Sequence, residues 1–264
     1  MTSVPSAKPK VAIAAACLYT AVMGIGMFYT KAFQGITYGN PEMMNILWFF
    51  MLVGSAVTLF FVIRYFGWQA IGFRTLNPRQ LLWFIPLIAL QLVMWTFFFQ
   101  GLAVAPFDAA QWRLFAVAGF TTLLVGINEE IMYRGIVLHD FLATKRVLWA
   151  MLVSAIAFSL LHAVNILGGV PPMAAPLQLL STFLFGCLFA PLMIKLNNIV
   201  PLIIFHWLWD FVLFSSSIVS EQVGKTIGSA GLALVPIEII LGVVLWLSIR
   251  KDQAVISERV KVPS

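Results

Sequence analysis

Charge is scarce in this chain. Of its 264 residues only 10% are Asp, Glu, Lys or Arg, whereas 61% are hydrophobic and the mean hydropathy is +0.98. Soluble domains carry about 25% charged residues, so a water-soluble domain with a large core is excluded and the composition is that of a polytopic membrane protein. Cysteine is sparse too: Cys17 and Cys187 both fall inside apolar runs, where they read as packing residues rather than a disulfide. No run of Lys and Arg exceeds two residues, and no aromatic–basic groove pattern accompanies the net charge of +6, which excludes a nucleic-acid partner. A cleaved leader is not expected. Three apolar residues alone separate Lys10 from the AAAC at Ala14–Cys17, against about 7–15 in a signal-peptide core. Long connectors are missing as well, GITYGNPE (35–42) and GGVPPMAAP (168–176) being short Gly/Pro turns, and no internal repeat is evident.

What the chain does have is long apolar runs. A spanning helix needs about 20 mostly apolar residues, and eight candidates meet that need: 11–33, 44–66, 81–101, 112–142, 147–167, 176–195, 199–219 and 231–249. The expected fold is an all-α membrane protein, a single transmembrane domain over 1–264 with an intramembrane cavity. The fourth run is long and mixed in its second half, as expected of a helix that lines such a cavity. Eight spans put both termini on one side. Lys8, Lys10, Arg64, Arg74, Arg79, Lys145, Arg146, Lys195, Arg250, Lys251, Arg259 and Lys261 fall on that side, and Lys31, Arg113 and Lys225 on the other. This asymmetry predicts cytoplasmic termini. The segment 66–79, with Trp68, Ile71 and Phe73 among basic residues, is expected in the cytoplasmic interface.

An ionisable side chain within a span is a functional candidate by default. The apolar run LFAVAGFTTLLVGI leads directly into NEEIMYRG at Asn128–Gly135. Glu130 and Arg134, at i and i+4, face one side of a helix and can pair. Glu129 stands about 100° round from Glu130 and lacks a cation in its own helix, so it needs a partner elsewhere. His162, in FSLLH, supplies one. Glu129 lies sixteen residues before Lys145 and His162 sixteen after Arg146. In an antiparallel hairpin both are therefore roughly 24 Å from the turn and meet at one depth. In HWLWD, His206 and Asp210 share a helix face, with Trp207 and Trp209 turned towards lipid or packing surfaces. Counted from Lys195–Asn198, His206 comes out shallower, roughly 12–17 Å. His139 and Asp140 are expected to be solvated at the cytoplasmic end, and Glu238 to be interfacial.

Each motif also has a bland reading: an ion pair near a helix end, a packed histidine, an internal Asp–His bond. Together they converge on one interior site. A carboxylate with a histidine removes a proton from water, and a second histidine donates to a developing oxyanion. No Ser or Cys sits in a comparable polar setting, so the expected chemistry is hydrolysis by activated water.

EEIMYR, FSLLH and HWLWD match EExxxR, FxxxH and HxxxN/D in that order. Together they resemble the CPBP family of intramembrane proteases, which includes CAAX prenyl endopeptidases and bacteriocin-processing, Abi-like proteins. The motif-bearing core covers about 112–219; the first three spans resemble the family in hydrophobic character only. The resemblance implies that Glu129 with His162 activates water, that Glu130 and Arg134 hold the first motif, and that His206 and Asp210 form the oxyanion-binding pair. Asp stands where the prenyl-protease branch has Asn, and an ionised Asp cannot donate to an oxyanion, so Asp210 is expected to be protonated or to orient His206. Glu129, His162 and His206 also have the makings of a catalytic zinc set; HExxH is missing and the histidines differ in counted depth, so a glutamate-type mechanism is the first expectation and a divalent metal such as Zn the alternative. The expected partners are the lipid bilayer and a peptide or membrane-anchored protein substrate, prenylated or not, cut near the cytoplasmic face of a prokaryotic plasma membrane. Two other classes fit the same residues: a non-catalytic immunity, phage-defence or assembly protein on this scaffold, and a proton-coupled transporter.

Overall fold

Lipid offers no partner for backbone polar groups, so long apolar segments fold as helices that satisfy their own ladders. The computed structural model describes residues 8–144, 146–253 and 256; Lys145, Arg259 and Lys261 of the charge asymmetry lie outside the described residues. The described residues are helical, without strands. In chain order the helices are α1 (Pro9–Ala32), α2 (Met44–Phe61), α3 (Ile85–Leu102), α4 (Ala109–Glu129), α5 (Leu138–Thr144), α6 (Val147–Leu161), α7 (Ala175–Leu196), α8 (Val200–Val219), α9 (Glu221–Gly231) and α10 (Leu234–Lys251). Among the described residues, eight helical stretches are long and apolar enough to cross a membrane, and the protein is a multi-pass integral membrane protein.

Helix starts are written in the sequence. Pro9, Pro86, Pro176 and Pro201 fall in the first turns of α1, α3, α7 and α8, where the missing N–H costs nothing. Asp108 and Gln111 close a capping box at the start of α4, with bonds of 2.8 and 3.0 Å. Asn197, at φ 57°, ends α7 in the left-handed conformation.

Close helix approaches position the site. A Cβ on Gly126 of α4 would lie 3.0 Å from the Ile203 carbonyl oxygen and from the Trp207 nitrogen of α8. Backbone-to-backbone packing of this kind holds membrane helices together where no hydrophobic force acts between them. It brings the end of α4 against the middle of α8.

Two expectations need correction. The last span is longer than 231–249, because α9 folds back along α8, with Gly224 against Ser217 and Gly231 against Leu213; its polar composition, EQVGKTIGSAG, hid it. Segment 66–79, expected in the cytoplasmic interface, is mostly a set of turns tied to the α7–α8 junction. The Ile199 N–H donates to the Gly72 carbonyl and the Asn77 N–H to the Leu196 carbonyl. Asn198 donates to the Arg74 carbonyl. Ile71 is fully buried there, and burial holds the Arg74 guanidinium below its ordinary pKa. Finally, Asp140 and Glu238 are buried. Asp140 accepts from the backbone N–H of Lys8 at 2.7 Å, tying the start of α1 to α5. Glu238 belongs to the buried stripe Leu234, Glu238, Gly242, Leu245 and Ile249 of α10.

Candidate active site

Between α4 and α5 the backbone changes period. Glu130–Val137 forms wide π turns, in which the Leu138 N–H bonds the Tyr133 carbonyl five residues back. Such turns are rare and concentrate at functional sites. Two carbonyls of the stretch also take side-chain bonds: Ser154 Oγ donates to the Tyr133 oxygen at 2.8 Å, and His139 Nδ1 to the Arg134 oxygen at 2.8 Å. All eight residues of the stretch are buried. At Gly135 an added Cβ would sit 2.9 Å from the Ile71 carbonyl, so the turns at 67–72 press directly on this segment.

Within the stretch, Arg134 Nη1 meets Glu130 Oε1 at 3.0 Å, both side chains fully buried. The guanidinium lies 4.0 Å over the Phe158 ring and within 5.6 Å of Phe185 and Phe189. This aromatic cage stabilises the cation where Nε and Nη2 find no hydrogen-bond partner among the described residues. The same Glu130 oxygen lies 2.8 Å from His206 Nδ1. Glu130 thus joins the first motif to the third, a link that spacing within one helix does not reveal. It also closes the depth gap counted for His206.

On α8, His206 Nε2 lies 3.5 Å from Asp210 Oδ2 and 3.9 Å from Glu129 Oε2. The latter is too long for a hydrogen bond, and Glu129 Oε2 has no hydrogen-bond partner among the described residues. Trp207 donates to the Gly119 carbonyl at 3.0 Å and Trp209 stacks on Phe205, both turned from the site as expected.

His162 opens the 3₁₀ turn His162–Ile166 that ends α6. Its Nδ1 lies 3.0 Å from the Phe158 carbonyl. A carbonyl only accepts, so Nδ1 carries the hydrogen and Nε2 of the neutral ring keeps its lone pair. Glu129, His162, His206 and Asp210 line one cavity of about 100 Å³. Of the six predicted site residues, these four face the cavity, while Glu130 and Arg134 stand behind it.

The sequence reading missed part of the lining. Tyr38, passed over inside a Gly/Pro connector, reaches the cavity. Its N–H donates to the Gly168 carbonyl at 2.8 Å, and its hydroxyl oxygen accepts from Gln178 at 3.3 Å. Burial, with Asp210 and Glu129 nearby, pushes the phenol well above its ordinary pKa. Met23, Met27, Met43, Met44 and Met51 line the same cavity; a lone aromatic in a turn and scattered methionines carry no motif. The lining residues Tyr38, Met43, Asn165 and Phe214 place the cavity beside the 33–43 connection, away from Lys8 and Lys251. The expected position near the face that bears the termini is therefore corrected.

Among the described residues, no three His, Cys, Asp or Glu side chains gather into a group that could hold a metal ion. His206 Nδ1 is engaged by Glu130, and His162 Nδ1 faces its own helix.

Residues 110–212 match the family model described as Type II CAAX prenyl endopeptidase Rce1-like. The match spans all three motifs and less than half of the chain. No curated protein and no solved structure matches.

Proposed function

With residues 110–212 carrying the scaffold of the Rce1-like CAAX endopeptidases as the premise, we propose that the protein is an intramembrane endopeptidase whose nucleophile is a water activated by Glu129 and His162. The observation that carries this reading is a Glu129 carboxylate oxygen without a hydrogen-bond partner among the described residues, in a cavity shared with His162. Water placed there gives a proton to Glu129 and a hydrogen bond to the lone pair on His162 Nε2. Its oxygen attacks the substrate carbonyl carbon, and the carbonyl oxygen becomes the oxyanion. His206, flanked by Glu130 and Asp210, acts as a donor at both nitrogens and offers Nε2–H to that oxyanion, while Asp210 orients the ring. The carbon–nitrogen bond then breaks, and the proton held by Glu129 passes to the leaving amine. Water is consumed, and a carboxylic acid and an amine are released. Glu130 and Arg134 fix the geometry from behind. No step runs through a metal ion.

The test uses the full chain in nanodiscs with a quenched fluorogenic peptide, with and without a farnesyl group. Glu129→Ala and His162→Ala are each expected to lower cleavage by about 10²–10⁴-fold. Full activity in both variants, with unchanged folding, would sink the assignment.

A further inference from the structure

The cavity has a side, and so do the charges. Its lining runs from Glu129, His206 and Asp210 inside the bundle to the 33–43 connection, which it reaches through Tyr38, Met44, Asn165 and Phe214. The basic residues gather at the opposite end. Arg64, Arg74, Arg79, Arg146, Lys195, Arg250 and Lys251 flank the other helix termini, whereas the cavity end carries Lys31, Arg113 and Lys225. Basic loops remain in the cytoplasm, so the cavity extends from the middle of the bundle towards the extracytoplasmic face.

We infer that the site is reached from the extracytoplasmic face, and that its substrate is an internal stretch of an exported or membrane-anchored polypeptide presented on that face. This rests on the proposed peptidase activity and adds the substrate's location and form. The lining chemistry bears on the form. Glu129 and Asp210 are its carboxylates, and no Lys or Arg lines it; His206, flanked by Glu130 and Asp210, is its one cation. Arg134 is fully buried behind Glu130. A free C-terminal carboxylate placed beside the scissile bond would meet two carboxylates and one imidazolium, His206, that Glu130 and Asp210 already flank, so repulsion between like charges in a low-dielectric site outweighs the attraction. An internal peptide bond brings no such charge. The five methionines offer soft, adaptable apolar surface that accepts varied hydrophobic side chains next to that bond. Tyr38, at the cavity's outer edge and bonded to Gln178, stands where a substrate segment passes.

The test is sidedness of thiol labelling in cells expressing the full chain. Cys17 and Cys187 are replaced by Ala, and Tyr38→Cys, Phe214→Cys and, as an opposite-face control, Arg146→Cys are introduced singly. A membrane-impermeant maleimide is the probe, applied to spheroplasts and to inverted vesicles. Tyr38→Cys and Phe214→Cys should label at least tenfold faster in spheroplasts, and Arg146→Cys faster in inverted vesicles. Labelling of the two cavity cysteines from the inverted side, from both sides equally, or from neither would overturn the inference. A tethered reporter segment gives the second arm: it should be cut when displayed outside and remain intact when displayed inside. Labelling does not depend on catalysis. Correct sidedness with full activity in Glu129→Ala removes the peptidase mechanism alone, and reversed sidedness with Glu129-dependent cleavage removes this inference alone.

Discussion

Two hollows in this molecule differ inversely in size and chemistry. The larger, about 700 Å³, runs between α1 and α6; Cys17, Ala21, Ile25, Ala157 and Leu160 line it, and no carboxylate, imidazole or basic group does. The smaller, about 100 Å³, gathers Glu129, His162, His206 and Asp210. They are neighbours: Gly24 of α1 lies against Val164 and Leu167, and the Thr20 and Tyr133 hydroxyls meet at 3.2 Å between them. Volume here follows the splay of two helices packed through small residues. Chemistry follows the few places where a buried charge finds partners, and in lipid those places are costly to build. The hollow to which function is assigned is therefore the small one.

The sharpest way to break that assignment is Glu129→Gln, which keeps the shape of the side chain and removes the base. Peptide hydrolysis per folded molecule should fall by about 10²–10⁴-fold, with the thermal midpoint in detergent unchanged. Arg134→Met attacks the same hollow from behind. It leaves Glu130 buried without its cation, which costs about 3–5 kcal/mol. Adding Glu130→Gln should recover much of that loss in a double-mutant cycle read by thermal unfolding, because the two groups act as a unit. Asp210→Asn is milder. Amide and carboxylate have the same shape, so kcat/KM should change by no more than about tenfold, whereas Asp210→Ala should cost more by freeing the His206 ring. Smallest of all is Ala157→Phe in the large groove. Cleavage of an unlipidated peptide should stay within about twofold, as for a substitution away from buried polar features. A tenfold fall there would show that the groove guides the peptide and would blur the distinction between the two hollows.

Much of this contrast is legible in the sequence, because lipid leaves few options. Runs of about 20 apolar residues announce the helices, and ionisable residues inside them announce the site. Counting sixteen residues either side of the Lys145–Arg146 turn pairs Glu129 with His162, and both line the small cavity. The count works because the hairpin is antiparallel and close-packed. It is less useful for α8, where the bond from Glu130 to His206 crosses between helices that no turn connects. The depth of the site was present in the same arithmetic: roughly 24 Å from the basic turn already lies beyond the middle of a bilayer core about 30 Å thick. The π stretch was not legible, since its residues carry no mark that separates five-residue from four-residue hydrogen bonding. Tyr38 and α9 were missed because Gly, Ser and Lys make a segment read as connector even where it packs.

The altered backbone period at Glu130–Val137 amounts to an extra residue absorbed without breaking the rod. It lets α4 keep its Gly126 contact with α8 and α5 keep its hold on Lys8 while the motif turns independently of both. Removing Ile136 should return the segment to ordinary four-residue bonding. Circular dichroism would then report the same helix content and α4 and α5 would keep their phase, while Glu130 and Arg134, inside the stretch, shift round the helix relative to Glu129 and cleavage stops. The site would be lost by a phase error, with every one of its side chains still present.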